Sequence, residues 1–538
     1  MDGTLLMQTA DQMLDILNDL VSIGSITLSE AEKHIPFRVE HYLKQITYFK
    51  ENQSYISHHP TMDGRSFLSA LYKHNEAEKT VIMLSHFDVV DVEEYGDLKH
   101  LAFQPIELTK AFFERLDELP DDARKDLESG DWLFGRGTMD MKCGLVQHMS
   151  LLEKASEEKW KINLLLLTVP DEEVNSTGMR EALQKLLDIA SEHQLTYTLC
   201  LNSEPMFTQT PGDENHYFYT GSIGKIMPGA LCFGKESHVG EPLSGMNAAW
   251  MTSVFSQEME WNEKLCETVN GQTTPPPTVL LQRDLKKEYS AQLPSVSVSL
   301  YNLLLMNRNP ADVMRALREA ASRAANKMND FIQEKYRTYR ISQDKPVDIR
   351  ILSYEELKEY ACKKATAEKV EALEYSAAMN TPGDNREQCI KAVEQMANLC
   401  QELSPMIVLF FAPPYYPAVN TGDNKVIKKL SSGLIEYTKK QYGYELLPVD
   451  YFNGISDLSY AALQAPLSDM NRYNTNLPGG QELYSIPFPA MAELTAPVLN
   501  VGPIGRDAHK KTERLYLPFA FEQLPRILEH LLLMHQKQ

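Results

Sequence analysis

The chain has no CxxC pair. Its seven cysteines, Cys143, Cys200, Cys232, Cys266, Cys362, Cys389 and Cys400, are odd in number, so neither a disulfide framework nor a zinc ribbon is expected. No apolar run approaches the roughly 18 residues of a transmembrane helix, so no membrane partner is expected. The stretch MDGTLLMQTADQM has no basic segment followed by an apolar one, so no signal peptide is expected. A reducing cytoplasm is the simplest location. Positive charge is also short: Lys+Arg is 53 against 74 Asp+Glu, a formal net charge of −21. That argues against nucleic acid as the main partner. There is no internal repeat and no low-complexity tract.

What is present is globular composition, 43% hydrophobic and 24% charged over 538 residues. That length exceeds one ordinary core, so two domains are expected. Residues 8–22 carry Met13, Leu14, Leu17, Leu20 and Val21 at helical spacing. A second helix is read near 36–50. Residues 66–73, 80–85 and 162–169 read as strands, the last two apolar enough for a sheet covered on both faces. Residues 91–131 are acidic and read as surface elaboration, with a short helix near 109–117. A helix near 177–192 leads to a strand at 196–202. This alternation predicts a mostly parallel, doubly wound α/β sheet, whose ligands gather at the carboxyl ends of the strands. His86, Glu172, Glu173 and Glu204 all fall there.

After about 215 the order becomes strand 224–234, helix 245–260, strands 278–285 and 295–305, a long helix from Pro310, and strand 406–412. That is the order of a ferredoxin-like α+β domain, with extra helices near 350–404. The expected division is 1–215 and 416–538 for a catalytic domain, with 216–415 inserted between them. The second catalytic part reads as a helix near 424–441, strands near 446–451 and 497–501, and a last helix at 517–534.

The chemistry centres on GRGTMDMKCG, Gly135 to Gly144. A lone carboxylate, Asp140, sits on a glycine-flanked turn ahead of a helix, well placed to meet a cation. His86, Asp140, Glu173, Glu204 and His509 offer imidazole and carboxylate ligands with no thiolate. That set suits Zn²⁺, with Co²⁺ and Mn²⁺ as competitors. Five ligands on two ions, with Asp140 bridging, describe a two-metal hydrolase site. Of the adjacent Glu172 and Glu173, one can ligate while the other serves as general base. Asp88, two residues after His86, can orient it.

SHFDVV, GRGTMDMKCG, TVPDEEVNSTG, SEP and GPIGRDAHKKTE resemble, in type and order, the motifs of the M20 family of metallopeptidases and amidohydrolases. The resemblance covers nearly the whole chain and is strongest to the RocB arginine-utilisation branch, which is long and carries extra lid material. It implies His86, Asp140 and Glu204 on one metal, and Asp140, Glu173 and His509 on the other. It implies Glu172 as general base and Asp88 as a support behind the ligands. It also implies that the insert is a lid, with a possible homodimer through it, where His238 reaches an active site and Asn247 binds substrate. The interval from His86 to Asp140 is longer than is usual in the family, and Cys143 stands where glycine commonly follows the lysine.

Each residue has a plainer reading. A lone histidine after an apolar strand is ordinarily structural. Asp140 and Asn247 could be helix caps, and Glu172 and Glu173 acids favoured at a helix start. Asp457 in GISD could be a turn residue, Cys143 a buried one, and His509 a surface histidine. Arg506 is a weaker candidate for a substrate carboxylate. The ordered set favours an enzyme that hydrolyses an amide bond of a small N-acyl amino acid or short peptide; an arginine-related substrate is implied only by the resemblance to the RocB branch. The rivals are a catalytically silent binding protein on the same fold, and a carbamoyl or amidine hydrolase with the same ligands.

Overall fold

The computed structural model describes residues 5–210, 212–286, 288–342 and 346–537. The chain divides into two units. One comprises Met1–Ser222, Val419–Leu463 and Pro489–Gln538; the other comprises Ile223–Ala418 and Gln464–Phe488. The breaks lie at 222/223 and 418/419, against the 215/216 and 415/416 read from the sequence. Residues 464–488 go with the second unit, inside the range read above as catalytic.

The first unit is built on an eight-stranded sheet. From one edge its strands run Ile56–Pro60, Ser66–Tyr72, Asn163–Val169, Thr80–His86, Tyr197–Asn202, Val498–Asn500, His216–Tyr219 and Leu446–Val449. The central strands Asn163–Val169, Thr80–His86, Tyr197–Asn202 and Val498–Asn500 are parallel to one another. Strands Asn163–Val169 and Thr80–His86 are buried at every residue, as continuous apolar runs covered on both faces must be. Residues from helices Ala10–Ser22, Cys143–Glu158 and Leu524–Gln536 share one buried cluster with Val81, Met83, Leu164 and Leu166. Register sets the functional edge: His86 pairs with Val169, Leu84 with Asn202, and Asn202 with Asn500. The carboxyl ends of these strands are therefore nearly level.

The segment 91–131 is more ordered than its acidic sequence suggests. It holds helices Pro105–Phe113 and Asp121–Ser129 and its own small core of Tyr95, Leu98, Leu108, Phe112, Leu127 and Trp132. The first helix starts earlier than the expected 109, because Pro105 occupies its opening turn, where a missing N–H costs nothing. The helix read at 36–50 is two helices, Ile35–Leu43 and Thr47–Glu51. The terminal helix read at 517–534 is helical from 517, passing through a π-helical stretch, Phe519–Gln523, into Leu524–Gln536. Strands Ile56–Pro60 and His216–Tyr219 carry too little apolar periodicity to be read beforehand.

The second unit has strands Gly224–Phe233, Thr278–Asp284, Val296–Leu305 and Met406–Tyr416 with helices Ala248–Met259 and Pro310–Thr338. This is the ferredoxin-like α+β order, extended by strand Arg350–Ser353, which pairs parallel to Met406–Tyr416. Asn309 caps the long helix in a capping box with Asp312, and Pro310 follows it. Helices Tyr354–Lys364, Ala367–Met379 and Asn385–Leu399 supply the extra material, the first opened by the Ser353–Glu356 capping box.

Candidate metal centre

Asp140 lies on the irregular turn Thr138–Lys142, between strand Trp132–Phe134 and helix Cys143–Glu158. Its two carboxylate oxygens meet different histidines. Oδ1 is 3.2 Å from Nε2 of His86, and Oδ2 is 3.4 Å from Nε2 of His509. Glu204 Oε1 joins the His86 side at 3.4 Å from the same Nε2. Glu173 Oε2 joins the His509 side at 3.2 Å. Three groups have their ligand atoms within 4.8 Å of one another: two triads that share Asp140, His86–Asp140–Glu204 and Asp140–Glu173–His509, and a third, His86–Glu172–Glu173, that spans them. Glu172 stands beside both, with Oε2 4.0 Å from His86 Nε2.

His86 and the turns that carry the other acids are held from behind. His86 Nδ1 is 3.1 Å from the Asp88 carbonyl; donation there fixes the ring and leaves the Nε2 lone pair to bind a cation. The Asp88 carboxylate accepts the backbone N–H groups of Glu172 (3.1 Å) and Glu173 (3.3 Å) and the Thr27 hydroxyl. It thus ties the histidine strand to the turn bearing both glutamates. Below that turn, buried Arg65 pairs with Asp171 at 3.1 Å and with Glu32 at 3.0 Å. Glu513 accepts from Gly137 N–H at 2.7 Å and pairs with buried Arg136, joining the Asp140 turn to the His509 loop. Around Glu204 the backbone is close-packed. A Cβ on Gly502 would lie 1.9 Å from the Glu204 carbonyl, and one on Gly144 2.5 Å from that of Ser203.

The electrostatics describe a crowded acidic cluster. Burial raises Glu204 to about 8, against the pull of His86. Burial likewise pushes Glu172 well above the carboxylate range and raises Glu173, to which the Asp140 charge adds. Burial opposes ionisation of Asp140 too, but contacts with His509 and His86 outweigh it and hold its carboxyl well down. Contacts with Asp140 and Glu173 raise His509 to about 11. Buried Lys142 is pushed down to about 7 by desolvation, against the pull of Asp88 and Glu513. Oxygen and imidazole donors without thiolate, packed so that like charges suppress one another's ionisation, fit divalent cations that would relieve the repulsion. The residues present can hold two such ions, with Asp140 shared.

Asp457 is buried near this cluster, its carboxyl raised to about 7 by desolvation, and its charge is felt by Glu172. Arg506 is committed to Asp126, at 2.9 Å and 3.0 Å from its two oxygens. Cys143 is buried. His238 and Asn247 belong to the second unit. His238 Nδ1 accepts from Gly240 N–H at 3.1 Å. Asn247 caps helix Ala248–Met259, accepting from Ala249 and Trp250 N–H. Sequence reasoning missed Arg65, Glu32 and Glu513, because a buried ion pair between distant segments leaves no local pattern. Arg136 was visible within its glycine pair.

The profile of the peptidase family M20/M25/M40 matches residues 82–532. The chain belongs to this family. A Bacillus subtilis (strain 168) protein, YqjN, is 45% identical over 525 residues, covering 97% of this chain and 96% of its own length. RocB of the same organism is 28% identical over 539 residues, with 97% and 94% covered. Among solved structures, the M20 family metallo-carboxypeptidase Sso-CP2 from Sulfolobus solfataricus matches with a TM-score of 0.55 at 12% identity, covering 98% of this chain and 99% of its own. At that identity the last likeness concerns the fold alone. Among the described residues, no helix is long and apolar enough to cross a membrane.

Proposed function

We propose that the protein is a dinuclear metal-dependent hydrolase that cleaves an amide bond of a small N-acyl amino acid or short peptide. One observation carries this reading: the Asp140 carboxylate divides its oxygens between His86 and His509, each in a separate triad. His86, Asp140 and Glu204 would hold one ion and Asp140, Glu173 and His509 the other, Zn²⁺ in first place and Co²⁺ or Mn²⁺ as alternatives. Bound there, the pair supplies Lewis-acid polarisation of the scissile carbonyl and acidifies a water.

Glu172 is the group left to move the proton. It lies beside both triads but is not needed to complete either. Its buried carboxylate is a stronger proton acceptor than an exposed glutamate. It takes the proton from the attacking water and returns it to the leaving nitrogen. Asp88 keeps Glu172 and Glu173 in place through their backbone N–H groups. His238 donates to the oxyanion of the tetrahedral intermediate, and Asn247 binds substrate, as family membership suggests. An arginine-related substrate rests only on the motif resemblance to the RocB arginine-utilisation branch. The protein acts in the cytoplasm, and its lid pairs two copies.

Glu172→Gln tests this directly. The variant is expected to keep its metal content and lose activity by at least about 100-fold on a panel of N-acyl amino acids and dipeptides, the scale of a lost general base. Turnover retained in Glu172→Gln removes this base; no turnover by metal-loaded wild type on any panel member favours the silent binding protein.

A further inference from the structure

The segment 91–131 does more than cover surface. The strand that follows it, Trp132–Phe134, pairs antiparallel with Arg514–Tyr516, which pairs with Gly505–Arg506. The loop between those two strands, 507–513, carries His509. Two of its non-glycine residues, Asp507 (φ 59°) and His509 (φ 63°), take left-handed backbone. Such conformations persist where the surroundings over-determine them.

The surroundings come from helix Asp121–Ser129 of this smaller insert, 91–131. Arg514, whose side chain is 0% exposed, is held at three corners. Its Nε donates to Asp126 at 2.7 Å and its Nη2 to Asp122 at 2.9 Å, both on helix Asp121–Ser129. Its Nη1 pairs with Asp507 and donates to the Thr512 carbonyl at 3.0 Å, both in the histidine loop. Asp126 also holds Arg506 at the other base of the hairpin. The guanidinium groups of Arg506 and Arg514 lie 5.0 Å and 5.6 Å from the Trp132 ring. One insert carboxylate thus clamps both strands that launch the loop. A buried cation held this way costs much to unpair on one side.

We propose that Asp126, acting through Arg514 and Asp507, is a positioning residue for His509, so that this clamp sets affinity at one metal position and leaves the other alone. This rests on the metal reading above. Nothing comparable ties the insert to Glu204 among the described contacts, and His86 is oriented by Asp88 instead.

The test uses full-length protein stripped with a chelator and titrated with Co²⁺, bound metal being counted by native mass spectrometry. Wild type is expected to take up two ions in two steps. Asp126→Asn should leave the tighter or weaker His86 step unchanged and weaken the His509 step by about 10- to 100-fold, the usual effect of losing an outer partner of a ligand. Excess Co²⁺ should then restore turnover. Asp122→Asn, which removes a more exposed partner of Arg514, should weaken the same step less and reads the clamp if Asp126→Asn fails to fold. Equal affinities in a folded Asp126→Asn, or equal loss at both steps, overturn the proposal. Wild type that binds no Co²⁺ overturns the metal reading itself.

Discussion

His148 shows how one buried side chain sets a pH limit on the fold. It lies in helix Cys143–Glu158, fully buried, with Nε2 3.0 Å from the Ser203 hydroxyl, one residue before Glu204. Burial pushes its imidazole down to about 3, whereas the unfolded chain takes up that proton below about 6.5. Between these values the unfolded state holds the extra proton. Stability therefore falls as pH drops through about 6.5 and levels off below about 3. The loss is about 2 kcal/mol between pH 7 and pH 5. In denaturant melts of chelator-treated protein, the stability gap between wild type and His148→Gln should shift by about 2 kcal/mol in the variant's favour over that range. A gap independent of pH would contradict a buried neutral histidine. No sequence pattern marked His148, since a histidine on an apolar helix face reads the same whether it packs or titrates. His86 and His509 were legible only because they belong to an ordered set of motifs.

The elements that form the site were legible where one apolar period ran long enough. Strands Thr80–His86 and Asn163–Val169 and the long helix opened by Asn309-Pro310 are of this kind. Short elements were not, because a four-residue strand such as His216–Tyr219 is defined by its neighbours rather than by its own pattern. The insert was misjudged for a related reason: its helices bury only a small core, so acidic surface dominates the sequence. Close approach of backbone segments was equally invisible. Gly502 allows the chain entering the His509 hairpin to pass the Glu204 carbonyl, and a Cβ there would overlap backbone, which cannot rotate away. Gly502→Ala is expected to cost about 1–3 kcal/mol, as overpacking does, and to weaken metal uptake at the His86–Asp140–Glu204 position. Calorimetric melting with Co²⁺ titration reads both; an alanine variant that matches wild type in each would show that Glu204 tolerates the displacement.

Across the whole molecule, sheet register delivers chemistry from remote stretches to one edge. His86, Glu172 with Glu173, and Glu204 follow three adjacent strand ends. Asp140 and His509 arrive through a separate three-stranded sheet shared with the insert. The family and the fold class follow from motif order, whereas the ties behind the proposed ligands, Arg65 to Glu32 and Asp171, and Arg514 to Asp126 and Asp507, emerge only from the folded chain. The most direct test of the shared carboxylate is an anomalous-scattering map of crystals grown with Zn²⁺. Two peaks about 3.5–4 Å apart, one on either side of the Asp140 carboxylate, are expected. A single peak, or two that do not share Asp140, would contradict the account.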